Sequence, residues 1–216
     1  SEVQLFPVVL KPYKSRILLE DRWLSTAVRI PRDWAECETA ISSEEFTDYP
    51  YMLQKYVESE GQGVFAIYDH GSPVAFFSHR RIREKPPSGG VSVLSESQSV
   101  PDSLLKPAKA LLDAAGWHGV AMVEFKVTPA GEPVLMEINT RFWGSLQLGI
   151  DAGVDFPWLL YQVAVGIRPD QPNLQPGVRL RWLLGDLDRL YLQFKLRGRI
   201  GTWAFLKDLV SFLIPD

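Results

Sequence analysis

The stretch Val123–Ser145, VEFKVTPAGEPVLMEINTRFWGS, constrains this chain more than any other. Its ends, VEFKV and PVLMEIN, have strand character, and the intervening Thr-Pro-Ala-Gly-Glu carries the Pro and Gly of a turn. The pattern predicts a β-hairpin. With Thr128 paired to Pro133, Val127 faces Val134, Phe125 faces Met136 and Glu124 lies opposite Glu137. Opposed side chains share a face of the sheet, and Asn139 joins them from two residues beyond Glu137. Like charges opposed in this way destabilise a sheet unless something positive sits between them. Two carboxylates and an amide oxygen form an all-oxygen set suited to Mg²⁺, above all Mg²⁺ carrying phosphates. Arg141 follows two residues later, and Gly144-Ser145 lets backbone approach a ligand.

Glu124, Glu137, Asn139 and Arg141, with the string MEINTRFWGS, resemble the metal-binding end of the ATP-grasp ligases. The resemblance implies two Mg²⁺ ions on ATP, held by the two acids and the Asn, with Mn²⁺ as the alternative ion. It gives Arg141 the task of steadying acyl-phosphate chemistry. PVVLKP resembles the family's first phosphate lysine, which assigns Lys11 to a nucleotide phosphate. The family's glycine-rich flap is replaced by YKSRILLEDRWLS, which has no glycine and offers Lys14, Ser15 and Arg16 as donors instead. YPYMLQKYV (Tyr49–Val57) matches the strand that runs into the family's hinge. The backbone of Lys55, Tyr56 and Val57 would there bind the adenine edge. Glu60, in preference to Glu58, would take the ribose hydroxyls. HRRIREKPPSGG resembles a segment of carbamoyl-phosphate-synthase-like members in which a basic strand and loop face the reacting groups, and Arg81 is its first candidate.

Composition bounds the remaining classes. The 216 residues can bury one good core with a smaller lobe. A formal net charge of -3 gives no general attraction to nucleic acid or an anionic membrane. The single cysteine, Cys37, excludes an internal disulfide and reads as structural. SEVQLFPVVLKP lacks the basic start and apolar run of a signal peptide, and no run of about 18 apolar residues is present. The expected location is the cytoplasm, with no nucleic-acid or membrane partner.

Along the chain, LFPVVL (Leu5–Leu10) predicts a buried strand ended by Lys11-Pro12. Pro31 opens a helix, PRDWAECETAI, interrupted at Ser42-Ser43. Gly61-Gln62-Gly63 is expected as a turn, and VFAIYDHGSPVAFFSHRRIRE as a hairpin turning at His-Gly-Ser-Pro. In its second arm Phe77, His79 and Arg81 share one face. Arg80, Arg81 and Arg83 form a basic cluster suited to phosphate or carboxylate. KPPSGG is a loop, in which Ser88, Gly89 and Gly90 could present backbone N–H groups to an anion. Pro101–Trp117 predicts an amphipathic helix starting or kinking at Pro107 and stopping at Gly116. LQLGIDAGVDFPWLLYQVAVG predicts one or two buried helices. PDQPNLQPG reads as a linker, followed by amphipathic LRWLLGDLDRLYLQFKLRGRI and TWAFLKDLVSFLI.

The expectation is an α+β protein with the ATP-grasp fold, two sheet-bearing lobes with the nucleotide between them, and a helical C-terminal tail. Residues 1–168 form the ATP-grasp domain, with one lobe at roughly 1–57 and the metal-site hairpin at 121–141. Residues 169–216 form the linker and tail. The family's usual N-terminal domain has no room before Lys11, so the chain reads as an excised piece, a natural short form, or one that needs a partner domain or homo-oligomer. The implied activity is ATP- and Mg²⁺-dependent ligation. A small-molecule carboxylate is activated as an acyl phosphate and attacked by an amine or similar nucleophile. Two other readings are a nucleotide-binding module without turnover, and a glycosidase using Glu124 and Glu137 as acid and base. The glycosidase needs carboxyls roughly 5–9.5 Å apart and has no use for Asn139 or Lys11.

Overall fold

The computed structural model describes residues 6–86, 90–200 and 202–213. The chain divides into two compact units, Ser1–Glu58 and Ser59–Asp216.

In the first unit, β1 (Val8–Pro12) pairs antiparallel with β4 (Tyr51–Lys55), and β2 (Arg16–Leu18) with β3 (Trp23–Ser25). β1 begins later than expected and includes Lys11 and Pro12; Leu5 lies outside the described residues. The glycine-free segment folds as the β2–β3 hairpin, closed by the Leu19 N–H on the Arg22 carbonyl at 2.9 Å. The first helix starts later than Pro31 predicts. α1 (Trp34–Ile41) is capped by Asp33, whose side chain accepts from the Glu36 N–H at 2.9 Å. An acidic cap satisfies an orphan N–H that proline cannot, which contributes about 1 kcal/mol. α2 (Glu44–Thr47) follows. Leu10, Cys37 and Phe46 form the core of this unit, so Cys37 is a packing residue.

The second unit is built on one antiparallel sheet of six strands, ordered β10-β7-β6-β5-β8-β9. These are β5 (Glu60–Asp69), β6 (Ser72–Lys85), β7 (Val91–Gln98), β8 (Gly119–Val127), β9 (Pro133–Asn139) and β10 (Arg179–Arg181). Gly61-Gln62-Gly63 is not a turn but part of β5. The β5–β6 hairpin turns on His70-Gly71, both at positive φ (43° and 82°), as a two-residue primed turn requires. Alternation along the strands gives the sheet two apolar faces. Val64, Ala66 and Tyr68 of β5, with Ala121, Val123 and Phe125 of β8, pack on Leu104, Ala108 and Leu112 of α3 (Asp102–Ala114). Those three helical positions are four apart and therefore share one stripe. α3 runs through Pro107 and starts before it. The opposite face, Phe65, Ile67, Phe77 and Met122, packs on Trp143 and on α4 (Leu146–Asp151) and α5 (Phe156–Ala164).

The C-terminal segment departs from a purely helical tail. Arg179–Arg181 form the short strand β10, added to the sheet edge beside β7. α6 (Leu183–Ile200) follows, then α7 (Thr202–Leu213). Asp186 in the first turn of α6 is fully buried, and it takes Arg83 of β6 at 2.7 Å and Arg181 of β10 at 3.0 Å. A buried carboxylate is tolerated only with such partners. No described helix is long and apolar enough to cross a membrane.

Candidate functional site: an acidic hairpin at the end of the sheet core

The face of the sheet that carries Phe65 and Met122 changes character along the strands. Ile67 pairs with Val120 and Phe65 with Met122, and the next pair on that face is Gly63 with Glu124. Apolar packing gives way there to a glycine and a carboxylate. A Cβ on Gly61 would sit 3.2 Å from the Arg81 guanidinium, so this glycine leaves room for the arginine.

Glu124 and Glu137 lie opposite each other across β8 and β9, as the alternation predicts, but the route differs. Val127, not Thr128, pairs with Pro133, and Phe125 pairs with Leu135, not Met136. The loop is three residues, Pro129-Ala130-Gly131. It is closed by the Thr128 N–H on the Glu132 carbonyl (3.0 Å) and the Gly131 N–H on the Thr128 carbonyl (2.8 Å). Gly131 has φ of 83°, the left-handed residue that such a loop needs. A register shift between Glu124 and Phe125 leaves Met136 as the extra residue, and it restores the facing of the two acids.

The Asn139 amide lies between them. Its Nδ2 donates to Glu124 Oε1 at 3.0 Å and to Glu137 Oε1 at 2.9 Å. Arg81 Nη2 donates to Glu124 Oε2 at 3.0 Å, and its Nη1 to Glu84 Oε1 at 3.0 Å. Both oxygens of Glu124 are thus held, and the positive charge that two facing acids require comes from β6, two strands away. Glu124 is 7% exposed, which strengthens each of these contacts relative to water. The donor set fits a hard divalent cation. Two carboxylates converge on one amide group, and rotating that amide presents its oxygen in place of its nitrogen.

His79 borders the site on the same face. It is 3% exposed, stacks on Phe65 with ring centroids 4.9 Å apart, and its Nε2 lies 2.8 Å from Ser145 Oγ. Burial, and then the Arg81 guanidinium, pushes its pKa down to about 3, so the ring is neutral at physiological pH. Trp143, two residues before Ser145, fills the core beside Phe65 with centroids 4.4 Å apart. The string after Asn139 therefore anchors its loop through Trp143 and ties it to β6 through Ser145. Sequence reading assigned His79 no role; its spacing on the Arg81 face was the available signal.

Glu124, Glu137, Asn139 and Arg81 are brought together. Arg141 is exposed, and its Nη1 donates to the neighbouring Phe142 carbonyl at 3.0 Å. Lys11 pairs with Met52 within β1 and β4, and Lys55, Tyr56 and Val57 end β4 and follow it, all in the first unit. Glu60 opens β5 opposite Val127, and its side chain lies outside the described set, as do Ser88 and Gly89. Glu58 ends the first unit. Beside Arg81 a cleft of about 290 Å³ is lined by Gln62, Arg80, Arg81, Arg83 and Arg189, among others. Arg80 also pairs with Glu96 at 2.7 Å; Arg179 and then Arg80 hold that carboxyl below its usual range.

The solved structures this chain resembles share its fold at low identity. An N5-carboxyaminoimidazole ribonucleotide synthetase in complex with ADP superimposes with a TM-score of 0.61 at 18% identity, over 90% of this chain and 50% of the other. A biotin carboxylase from Campylobacter jejuni, in complex with β,γ-ATP, gives 0.56 at 20% identity, over 78% and 40%. An L-amino acid ligase from Bacillus licheniformis gives 0.54 at 17%, over 79% and 42%. The chain thus matches half or less of the length of these structures. Among curated proteins, none matches its sequence. The family model described as ATP-grasp in the biosynthetic pathway with Ter operon matches residues 47–185, which include the whole β5–β9 sheet and the acidic hairpin. This chain, α+β in class and ATP-grasp in fold, belongs to that family.

Proposed function

We propose that the chain binds ATP with Mg²⁺ and takes part in the ligation of a small-molecule carboxylate to an amine or similar nucleophile through an acyl phosphate. The observation that carries this reading is the Asn139 amide held between Glu124 and Glu137 at 2.9–3.0 Å, with Arg81 on the far oxygen of Glu124. Glu124, Glu137 and Asn139 would hold Mg²⁺ or Mn²⁺, whose contribution is to neutralise phosphate oxygens. Arg81 orients Glu124 and supplies positive charge beside the transferred group. Arg141 acts on the same group after its side chain turns from the Phe142 carbonyl. Lys11 anchors phosphate, the backbone of Lys55, Tyr56 and Val57 takes the adenine edge, and Glu60 the ribose. The 290 Å³ cleft beside Arg81 is the candidate substrate site, its arginines already engaged by Glu84, Glu96, Glu124 and Asp186.

A thermal melt tests the site. Mg-ATP at 100 times its Kd stabilises the fold by about 2.7 kcal/mol. The shift is expected in the native chain and expected to vanish with EDTA or in Glu137→Gln; an equal shift in that variant refutes the assignment. Binding without turnover is the second reading, favoured by the engagement of Arg141 with the Phe142 carbonyl. ADP formation with a panel of acids and amines separates the two.

A further inference from the structure

Two of the three histidines of this chain meet at the opposite end of the six-stranded sheet from the acidic hairpin. Asp69 ends β5, six residues along the strand from Gly63, the partner of Glu124, a distance of roughly 20 Å. His70 follows in the turn to β6, and His118 lies in the connection from α3 to β8. The topology forces them together. Tyr68 pairs with Gly119, and the Gly71 N–H donates to the Trp117 carbonyl at 2.7 Å, so the turn is fastened to the loop that carries His118. The positive φ of His70 (43°), unusual for a residue with a side chain, is set by that primed turn.

The geometry points to a surface site for a divalent transition ion of the zinc class, ligated by Asp69, His70 and His118. One donor atom from each residue lies within 4.8 Å of the others. His70 Nδ1 is 2.8 Å and His118 Nδ1 3.6 Å from Asp69 Oδ1, and the two imidazole rings have centroids 4.0 Å apart. Donors around a tetrahedral zinc lie roughly 3.4 Å from one another, so small side-chain rotations suffice. Two imidazoles with one carboxylate select zinc, nickel or cobalt over Mg²⁺, and three protein ligands leave further positions to water. Among the described residues, the ion-pair partners of Asp69 are these two imidazoles and no lysine or arginine. His118 Nδ1 accepts the His70 backbone N–H at 3.2 Å, and ligation through that nitrogen exchanges this hydrogen bond for the bond to the ion. All three side chains are exposed, and entry requires no opening of the fold.

Calorimetric titration of the full chain with zinc chloride tests the site, using Glu137→Gln to remove the acidic hairpin as a competing cation site. One equivalent is expected to bind. Adding His118→Ala or Asp69→Asn is expected to weaken it at least about tenfold. Both positions are exposed, and circular dichroism confirms folding. Zinc affinity unchanged by either substitution overturns the assignment, as does the absence of saturable binding up to about 1 mM.

Discussion

His79 is the residue whose chemistry depends most on where the fold places it. On the β6 face it is buried beside Phe65 and the Arg81 guanidinium, and it titrates near pH 3 instead of near 6.5. As pH falls below 6.5 the unfolded chain takes up a proton that the folded chain refuses. Stability attributable to this group is therefore intact above 6.5 and is lost progressively down to about pH 3, at roughly 1.4 kcal/mol per pH unit. Urea unfolding between about pH 7 and 5, above the usual carboxylate range, reads this slope, and His79→Gln is expected to flatten it. Equal slopes in the two proteins would refute the account. Much of the site at this scale was legible in the sequence. Period-two alternation places Glu137 and Asn139 on one face, whereas the facing of Glu124 and Glu137, expected from the sequence, is reached through a bulge that alternation does not reveal. Arg81 was identifiable as basic and as sharing a strand face with Phe77 and His79. Its hydrogen bond to Glu124 was not readable, because that depends on β5 lying between β6 and β8 and on Gly61 leaving space.

Elements were legible where a periodic signal is strong and hidden where it is weak. The α3 stripe and the β5–β6 hairpin announce themselves by spacing. β7, VSVLSESQ, does not, because its inward positions include serines. Ser95 and Ser97 are buried, and Ser97 Oγ donates to the Gln175 carbonyl at 2.7 Å. β10 is three residues long and is strand only because β7 offers a free edge there. The bulge at Met136 is invisible to alternation, since counting along the strand cannot say where a residue is skipped. Its role makes a prediction. Deleting Met136 leaves Glu137 next to Leu135 and still opposite Glu124, so the melting shift with Mg-ATP is expected to persist. Inserting one alanine after Met136 moves Glu137 to the other face, and the shift is expected to disappear. The reverse pattern would show that the bulge does not set the facing of the acids.

For the whole molecule, the separation of contacts along the chain gives the acidic hairpin a place in time as well as in space. Asn139 and Glu124 are 15 positions apart, whereas Arg81 and Glu124 are 43 apart. Short loops close with less loss of chain entropy, and hairpins form in about 1–10 μs. The expected order is therefore that the two carboxylates are brought face to face by a local event before the compensating guanidinium arrives from β6. Repulsion in that interval opposes folding, and an ion in solution relieves it. Refolding followed by the fluorescence of the seven tryptophans is expected to be faster with Mg²⁺ than without. Glu137→Gln is expected to refold at one rate in both buffers. An equal response of the two proteins to Mg²⁺ would mean that the arginine contact forms as early as the hairpin. A cation would then be, for this chain, a participant in reaching the fold and not only a ligand of the finished one.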